Sequence, residues 1–229
     1  MRALERDQRD GRRIKGAQSR QSILRAAISC IATQGLSNTT LDRVAERADV
    51  SRALVVFHFK SKSRLLREVL DYLGARYRTG WETIVAEEAP VMEKLVRLCD
   101  YDVRFACENP EYLSAWHAFW GEAKGNLLYH ELSLPRDEQY AEDIRRYLAA
   151  LIDEDGYDPM ELTPIHTGLT AILFGLWVES HLNPGEDDYR KGMAAVRIYL
   201  SKMFPHTPLP AASRAAPSAR NGPGENAHE

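Results

Sequence analysis

The sequence predicts an all-α protein of about nine helices: an N-terminal three-helix domain built on a helix-turn-helix, followed by a larger helical C-terminal domain. Three observations predict it. Apolar residues recur every three to four positions from about residue 23 to residue 204, and no stretch alternates convincingly as a strand would. Residues 37–62, SNTTLDRVAERADVSRALVVFHFKSK, read as two short capped helices joined by a tight turn. Charge is sorted around that segment. Residues 1–62 carry 13 Lys and Arg against 6 Asp and Glu, a formal +7, whereas the other 167 residues carry 17 against 27, a formal −10. A net charge of −3 therefore conceals a basic N-terminal unit joined to an acidic remainder. A basic patch beside a short helix suits duplex DNA, a dense line of phosphates.

Taken in order, residues 1–19 hold Arg2, Arg6, Arg9, Arg12, Arg13 and Lys15 with few apolar residues, and read as a flexible basic arm. The helix-turn-helix domain then spans residues 20–66. Ile23, Leu24, Ala27, Ile28 and Ile31 mark its first helix, which Gly35 stops. Thr40 is placed to N-cap a short helix with Leu41, Val44, Ala45 and Ala48 on its inner face, and Asp42 favours the positive end of that helix dipole. Asp49-Val50 makes the turn, Asp tolerating the left-handed conformation at modest cost. Ser51 caps the next helix, and Ser61 caps a longer one with an apolar stripe of Leu65, Leu66, Val69, Leu70 and Leu73.

Residues 67–204 form the second domain. One helix begins near Met92 and carries Leu95, Leu98, Cys99, Val103 and Phe105; Asn109-Pro110 starts another. Tyr140 to Leu151, Leu169 to Leu176, and Tyr189 to Phe204 mark three more. The tail, 205–229, holds five of the 11 prolines among Ala, Ser and Gly, and is expected to be disordered. The apolar runs are far shorter than the roughly 20 residues of a membrane span. With no secretory signal and three cysteines that form no CxxC pair, Cys30, Cys99 and Cys107 are expected as buried thiols in a reducing cytoplasm.

Two helices joined by a short turn, the second capped and flanked by cations, have the geometry that lays one helix into the major groove. Here the residues themselves, TTLDRVAERADVSRALVVFHFKSKSRLL, resemble the DNA-binding domain of TetR-type bacterial transcriptional regulators over roughly residues 20–73. The most specific piece is FHFKSK followed by a Leu pair. The resemblance implies that Thr40 touches a phosphate, that Ser51, Arg52, Val56, Phe57 and His58 face DNA, and that Lys62 holds the DNA backbone. Val55 and Phe59 match core positions. Asp49 stands where Gly is usual, and Leu54 and Val56 stand where Thr and Tyr are frequent. A reading face with fewer hydroxyls leans on thymine methyl contacts and on Arg52.

In the C-terminal domain, Tyr112, Trp116, Phe119 and Trp120 project from one side of a helix, and Tyr101, Phe105, Tyr129 and Trp177 are able to converge on them. Such a set suits core packing or the wall of a small-molecule cavity between helices. The wording AWHAFW, LLYHEL and ILFGLWVES resembles the choline-responsive BetI-type branch of the same family. Phe174 stands where that branch often has an acidic residue before Gly-Leu-Trp. The resemblance implies choline or a related trimethylammonium compound as effector, held by aromatic faces.

No HExxH, GxSxG, GxGxxG or GxxxxGKS occurs, and no nucleophile–base pairing stands out, so no enzyme, metal site or cofactor is expected. His117, His166 and His181 read as helix-face or pocket residues. A two-fold dimer is expected because one helix-turn-helix reads few base pairs. Its interface is assigned to the last two long helices, about 163–182 and 186–204, burying Leu169, Leu176 and Val196 in a four-helix bundle. The expected function is a homodimeric repressor in the bacterial cytoplasm, on the nucleoid, released from a near-palindromic operator by a small-molecule effector. The alternative is an effector-independent DNA-binding factor of the same type, acting as a co-regulator or architectural protein; a closed core with no cavity behind Trp116 and Trp120 would favour it.

Overall fold

A computed structural model describes residues 2–122, 131, 134–185 and 187–211. Among these residues nine α-helices form and no strand does. They are α1 (Arg2–Asn38), α2 (Leu41–Arg47), α3 (Arg52–Phe59), α4 (Lys62–Ala86), α5 (Val91–Glu108), α6 (Pro110–Gly121), α7 (Leu134–Asp155), α8 (Leu162–Leu182) and α9 (Asp188–Met203), with a 3-10 turn at Pro159–Glu161.

The N-terminal caps fall where hydroxyls were placed to make them. Thr40 Oγ1 accepts from Arg43 N at 3.2 Å, Ser51 Oγ from Leu54 N at 3.2 Å, and Ser61 Oγ from Arg64 N at 3.2 Å. Each satisfies a backbone donor left open at a helix start. Gly35 breaks the helical path of α1 at φ 75°, and Asp49 makes the turn at φ 52°. Ile23, Ala27, Ile28 and Ile31 of α1 pack with Val44, Val55, Phe59, Leu65 and Val69 in the small core.

The boundary drawn at residues 66 and 67 falls inside α4. That helix buries Leu65, Val69 and Leu70 on the N-terminal side and continues the same apolar stripe through Tyr77, Trp81 and Ile84 into the C-terminal core. The two units therefore share one rigid rod. The acidic run 153–155 forms the last turn of α7.

Two terminal expectations are corrected. Residues 2–19, read as a flexible arm, are helical and continuous with α1. Their Leu, Glu, Arg, Gln and Lys content favours helix, and Glu5–Arg9 and Arg6–Asp10 have the spacing of supporting charge pairs. At the other end the tail does not begin at 205: Leu209 packs on the core, His206 stacks on Tyr157, and Arg197 Nη2 donates to Pro210 O at 2.6 Å. Residues 212–229 lie outside the described residues.

The dimer assignment is also corrected. Leu169 and Val196 are fully buried within a single chain, and Leu176 is half-buried beside Gly192, so all three already serve the protomer's own core. Helical periodicity shows that a face is buried without showing what covers it.

Candidate functional site

The reading head presents α3. Val55 and Phe59 are buried, which turns Arg52, Val56, Phe57 and His58 outward or to the rim. Phe57 is 68 % exposed, a large apolar side chain offered to the outside. Arg52 Nε pairs with Asp42 Oδ1 of α2 at 2.9 Å, both side chains remaining largely exposed. Partial burial, then Arg20 and Lys60, hold the His58 pKa below its ordinary value, which favours a neutral imidazole. Lys62 is less free than the sequence implies: its Nζ donates to Leu36 O at 2.7 Å and Ser37 O at 3.1 Å, tying the start of α4 to the end of α1. An ammonium has three donors, so one is left for a phosphate.

Lys60 was not singled out by sequence. It adopts φ 64°, ψ −44°, and Ser61 N donates to Phe59 O at 2.7 Å across it, a γ-turn that ends α3 abruptly. The strain sits at the rim of the reading face, where Lys60 Nζ lies 5.3 Å from the Phe57 ring centroid. A lysine carries no local signal for such a turn.

The second site is an aromatic cleft of about 420 Å³ between α4, α5, α6, α7 and α8. Trp116 and Trp120 of α6 and Trp177 of α8 line it. Tyr101 and Phe105 stand behind: Tyr101 Oη donates to Tyr77 O at 2.8 Å, and Phe105 stacks on Trp177 with ring centroids 6.0 Å apart. Tyr112 instead meets Tyr72 and Arg76 of α4, and Phe119 is fully buried; neither lines the cleft. Tyr129 lies outside the described residues.

Sequence reasoning missed the polar part of the lining, chiefly Asp102, Asp137, Tyr77 and Tyr140. Asp102 is 4 % exposed; its Oδ1 accepts from Tyr77 Oη and its Oδ2 from Trp177 Nε1 at 3.0 Å. Burial pushes its pKa up to about 6 against the opposing pull of those two hydrogen bonds. Tyr77 and Tyr140 are pushed well above the ordinary phenol range, first by burial and then by Asp102, so both stay protonated. A signal for Asp102 existed: it is an acid within the apolar stripe formed by Leu98, Cys99, Phe105 and Ala106. Trp120 Nε1 is buried with no hydrogen-bond partner among the described residues, leaving a donor unused at the cleft wall. Phe174 lines the cleft too, 5.4 Å from Trp120.

A larger groove of about 810 Å³ lies between α1 and α2, but its side chains bond to their own surroundings: Arg43 to Gln34 and Asn38, Arg47 to Ser29. Lacking an apolar wall, it is the poorer ligand site. His117 and His181 stack at 4.3 Å between α6 and α8, His117 Nδ1 donating to Leu113 O. His166 Nε2 meets Ala141 O at 3.0 Å. Burial raises the thiols of Cys30, Cys99 and Cys107 above their ordinary pKa. Among the described residues no group of three or more His, Cys, Asp or Glu is placed to hold a metal ion, and no helix is long and apolar enough to cross a membrane.

The cleft and the head meet through α6, whose most extensive contact is with α1. Ser29 Oγ of α1 donates to Glu111 Oε1 at 2.8 Å and accepts from Arg47 Nη1 of α2 at 2.7 Å. Ser37 Oγ donates to Glu122 Oε1 at 3.1 Å.

Comparison with known proteins bears on both sites. Residues 23–69 match the bacterial regulatory proteins of the tetR family, and residues 91–205 match the C-terminal domain of BetI-type transcriptional repressors. The HTH-type transcriptional regulator BetI of Vibrio campbellii is 24 % identical over 187 residues, covering 80 % of this chain and 90 % of that protein. Among solved structures, a transcriptional regulator from Pseudomonas aeruginosa superposes with a TM-score of 0.71 at 21 % identity, covering 83 % of this chain and 92 % of that one. A regulator from Saccharomonospora viridis, solved in complex with choline, gives a TM-score of 0.68 at 20 % identity, with 81 % and 96 % covered. These relatives are named as regulators of transcription, and none as an enzyme.

Proposed function

The chain belongs to the TetR family of bacterial transcriptional regulators, with a BetI-type C-terminal domain, and from that premise we propose that it is a homodimeric repressor which a small organic cation releases from its operator. The observation that carries the reading is the buried carboxylate of Asp102 on the wall of the aromatic cleft. Trp116, Trp120 and Trp177 offer π-faces to a quaternary ammonium, each desolvated contact contributing up to about 2 kcal/mol. Asp102 and Asp137 supply the countercharge that Phe174 does not. The unused Trp120 Nε1 donor suits an oxygen on the same ligand, which choline carries. Choline bound to a structural neighbour of the same fold is consistent with this choice. The open cleft also speaks against the effector-independent alternative.

Release follows from differential affinity. An effector wedged against Trp116 and Trp120 favours one position of α6, and the Glu111–Ser29–Arg47 chain of hydrogen bonds passes that position to α1 and α2. Thr40, Ser51, Arg52, Val56, Phe57, His58 and one donor of Lys62 form the DNA face in this reading.

Dimerisation falls to the outward face of α8 and α9. Helix α8 buries Ile165, Leu169, Leu173 and Trp177 inward, yet its outward side is apolar as well. Ala171, Gly175 and Leu182 are exposed there, and Ala194, Ala195 and Ile198 are exposed on α9. A helix apolar on both sides is covered on both, and small residues let a second copy approach closely.

The test is titration of the operator-bound protein with choline, betaine and the neutral carbon isostere of choline, following Trp fluorescence and operator release. Release by choline at concentrations where the isostere is silent is expected. Equal potency of the isostere overturns the cationic assignment, and silence of every compound together with normal regulation by a Trp120→Ala variant overturns the cleft.

A further inference from the structure

Resting on the reading of α1 to α4 as a DNA-binding head, we propose that the N-terminal half of α1 is a second DNA-contacting element, a helix that sets one stripe of arginines along the phosphates flanking each half-site. Helix α1 begins at Arg2, so residues 2–20 add about 27 Å of helix ahead of Ile23, the first fully buried residue among those described. At roughly 100° per residue, positions 2, 6, 9, 13 and 20, all arginine, fall within an arc of about 60°. Glu5, Asp7 and Asp10 fall outside that arc, as do Arg12 and Lys15.

Arg20 fixes where the arc faces. Its guanidinium lies 5.3 Å from the Phe59 ring centroid at the end of α3 and pairs with Glu68 of α4. The arc of positions therefore meets the reading head at Arg20, beside the end of α3.

Among the described residues ahead of Arg20, little holds this helix. A Cβ at Gly16 would meet no atom within 4 Å, and Ile14 is 57 % exposed. A freestanding helix of this length is marginal in water, and Gly11 and Gly16 weaken it further. A polyanion matched to the stripe supplies the missing stabilisation, since residues 1–20 carry seven Lys and Arg against three Asp and Glu. Leu4, Ile14 and Ala17 fall on a side of the wheel that Asp7 and Asp10 share, so it lacks the apolar face that a membrane-surface helix needs.

The test compares two variants of equal charge loss in the full chain, R9Q/R13Q on the arc and R12Q/K15Q off it, by salt-dependent binding to a selected operator. Each lost phosphate contact lowers the salt slope by about 0.9. The on-arc variant is expected to lose about 1.8 per protomer and to shorten the hydroxyl-radical footprint at its outer edges, the off-arc variant less than half as much. Equal losses overturn the helical stripe in favour of an extended arm. Unchanged slopes in both overturn DNA contact by this segment, while normal binding by Arg52-bearing wild-type protein keeps the head intact. Binding of the wild-type chain to anionic vesicles that only the on-arc variant loses, with operator binding unchanged, assigns the stripe to membranes and overturns the proposal.

Discussion

The reading head and the aromatic cleft dispose their charges in opposite ways. Arg52 and Asp42 form an ion pair whose side chains are 62 % and 69 % exposed. Such a pair contributes roughly 0–1 kcal/mol, so Arg52 moves to a phosphate or a base edge at little cost. Asp102 is 4 % exposed, held by Tyr77 and Trp177, and carries a pKa of about 6. Its ionised form is costly there unless a cation sits beside it. A polyanion is held by many exposed, replaceable charges. A small ion is held by few charges, already stripped of water.

The sharpest way to break this contrast is Asp102→Asn. Choline affinity is expected to fall by roughly 2–4 kcal/mol, read by calorimetry, while operator affinity is unchanged. The wild-type protein should also show a pH dependence that the variant lacks. Because the Asp102 pKa is raised, the protonated form is favoured in the free fold; Asp102 destabilises the fold as pH rises through about 6, and a bound cation offsets that. Choline affinity is therefore full above about pH 7 and falls by up to tenfold per unit below about pH 6. A flat profile in the wild type removes Asp102 from the site.

The next largest effect concerns the shared scaffold. Ala171→Glu places a charge on the outward face of α8 and is expected to lower dimer population and operator affinity together, by tenfold or more, a change of about 1.4 kcal/mol. Leu169→Ala should instead lower protomer stability by roughly 2–5 kcal/mol, seen as a lower Tm, because that side chain is in the core. Sedimentation of the folded Ala171→Glu protein as an unaltered dimer would move the interface elsewhere.

At the head the expected effects divide by chemistry. Arg52→Ala should cost roughly 1–3 kcal/mol of operator affinity and relax preference at one position of each half-site. Lys62→Ala should weaken all sequences alike and lower the salt slope by about one unit. It should also lower Tm slightly, because Leu36 and Ser37 carbonyls lose their donor.

The same contrast decides what was legible in the sequence. The head is local: caps at Thr40, Ser51 and Ser61 and the left-handed Asp49 lie within a short segment, and each has its own side-chain signature. Lys60 escaped because nothing in a lysine side chain marks the left-handed turn between α3 and α4. In the cleft, Trp116 and Trp120 were found by their spacing on one helix. Tyr77, Asp102 and Tyr140 come from three other helices, and only tertiary packing brings them together. Leu169, Leu176 and Val196 were assigned to a dimer because periodicity gives a buried face without its partner. The charge of residues 2–19 and their few apolar side chains point to a loose arm, although their helix-favouring content stands in the same stretch.

The measurement that tests the central claim most directly is choline affinity in the free protein and in the protein saturated with operator. Linkage requires that each ligand change the affinity of the other by the same factor. If the cleft drives release through α6, choline binds at least tenfold more weakly to the operator complex, and that factor equals the loss of operator affinity caused by saturating choline. Choline affinity that is the same with and without operator would contradict the account.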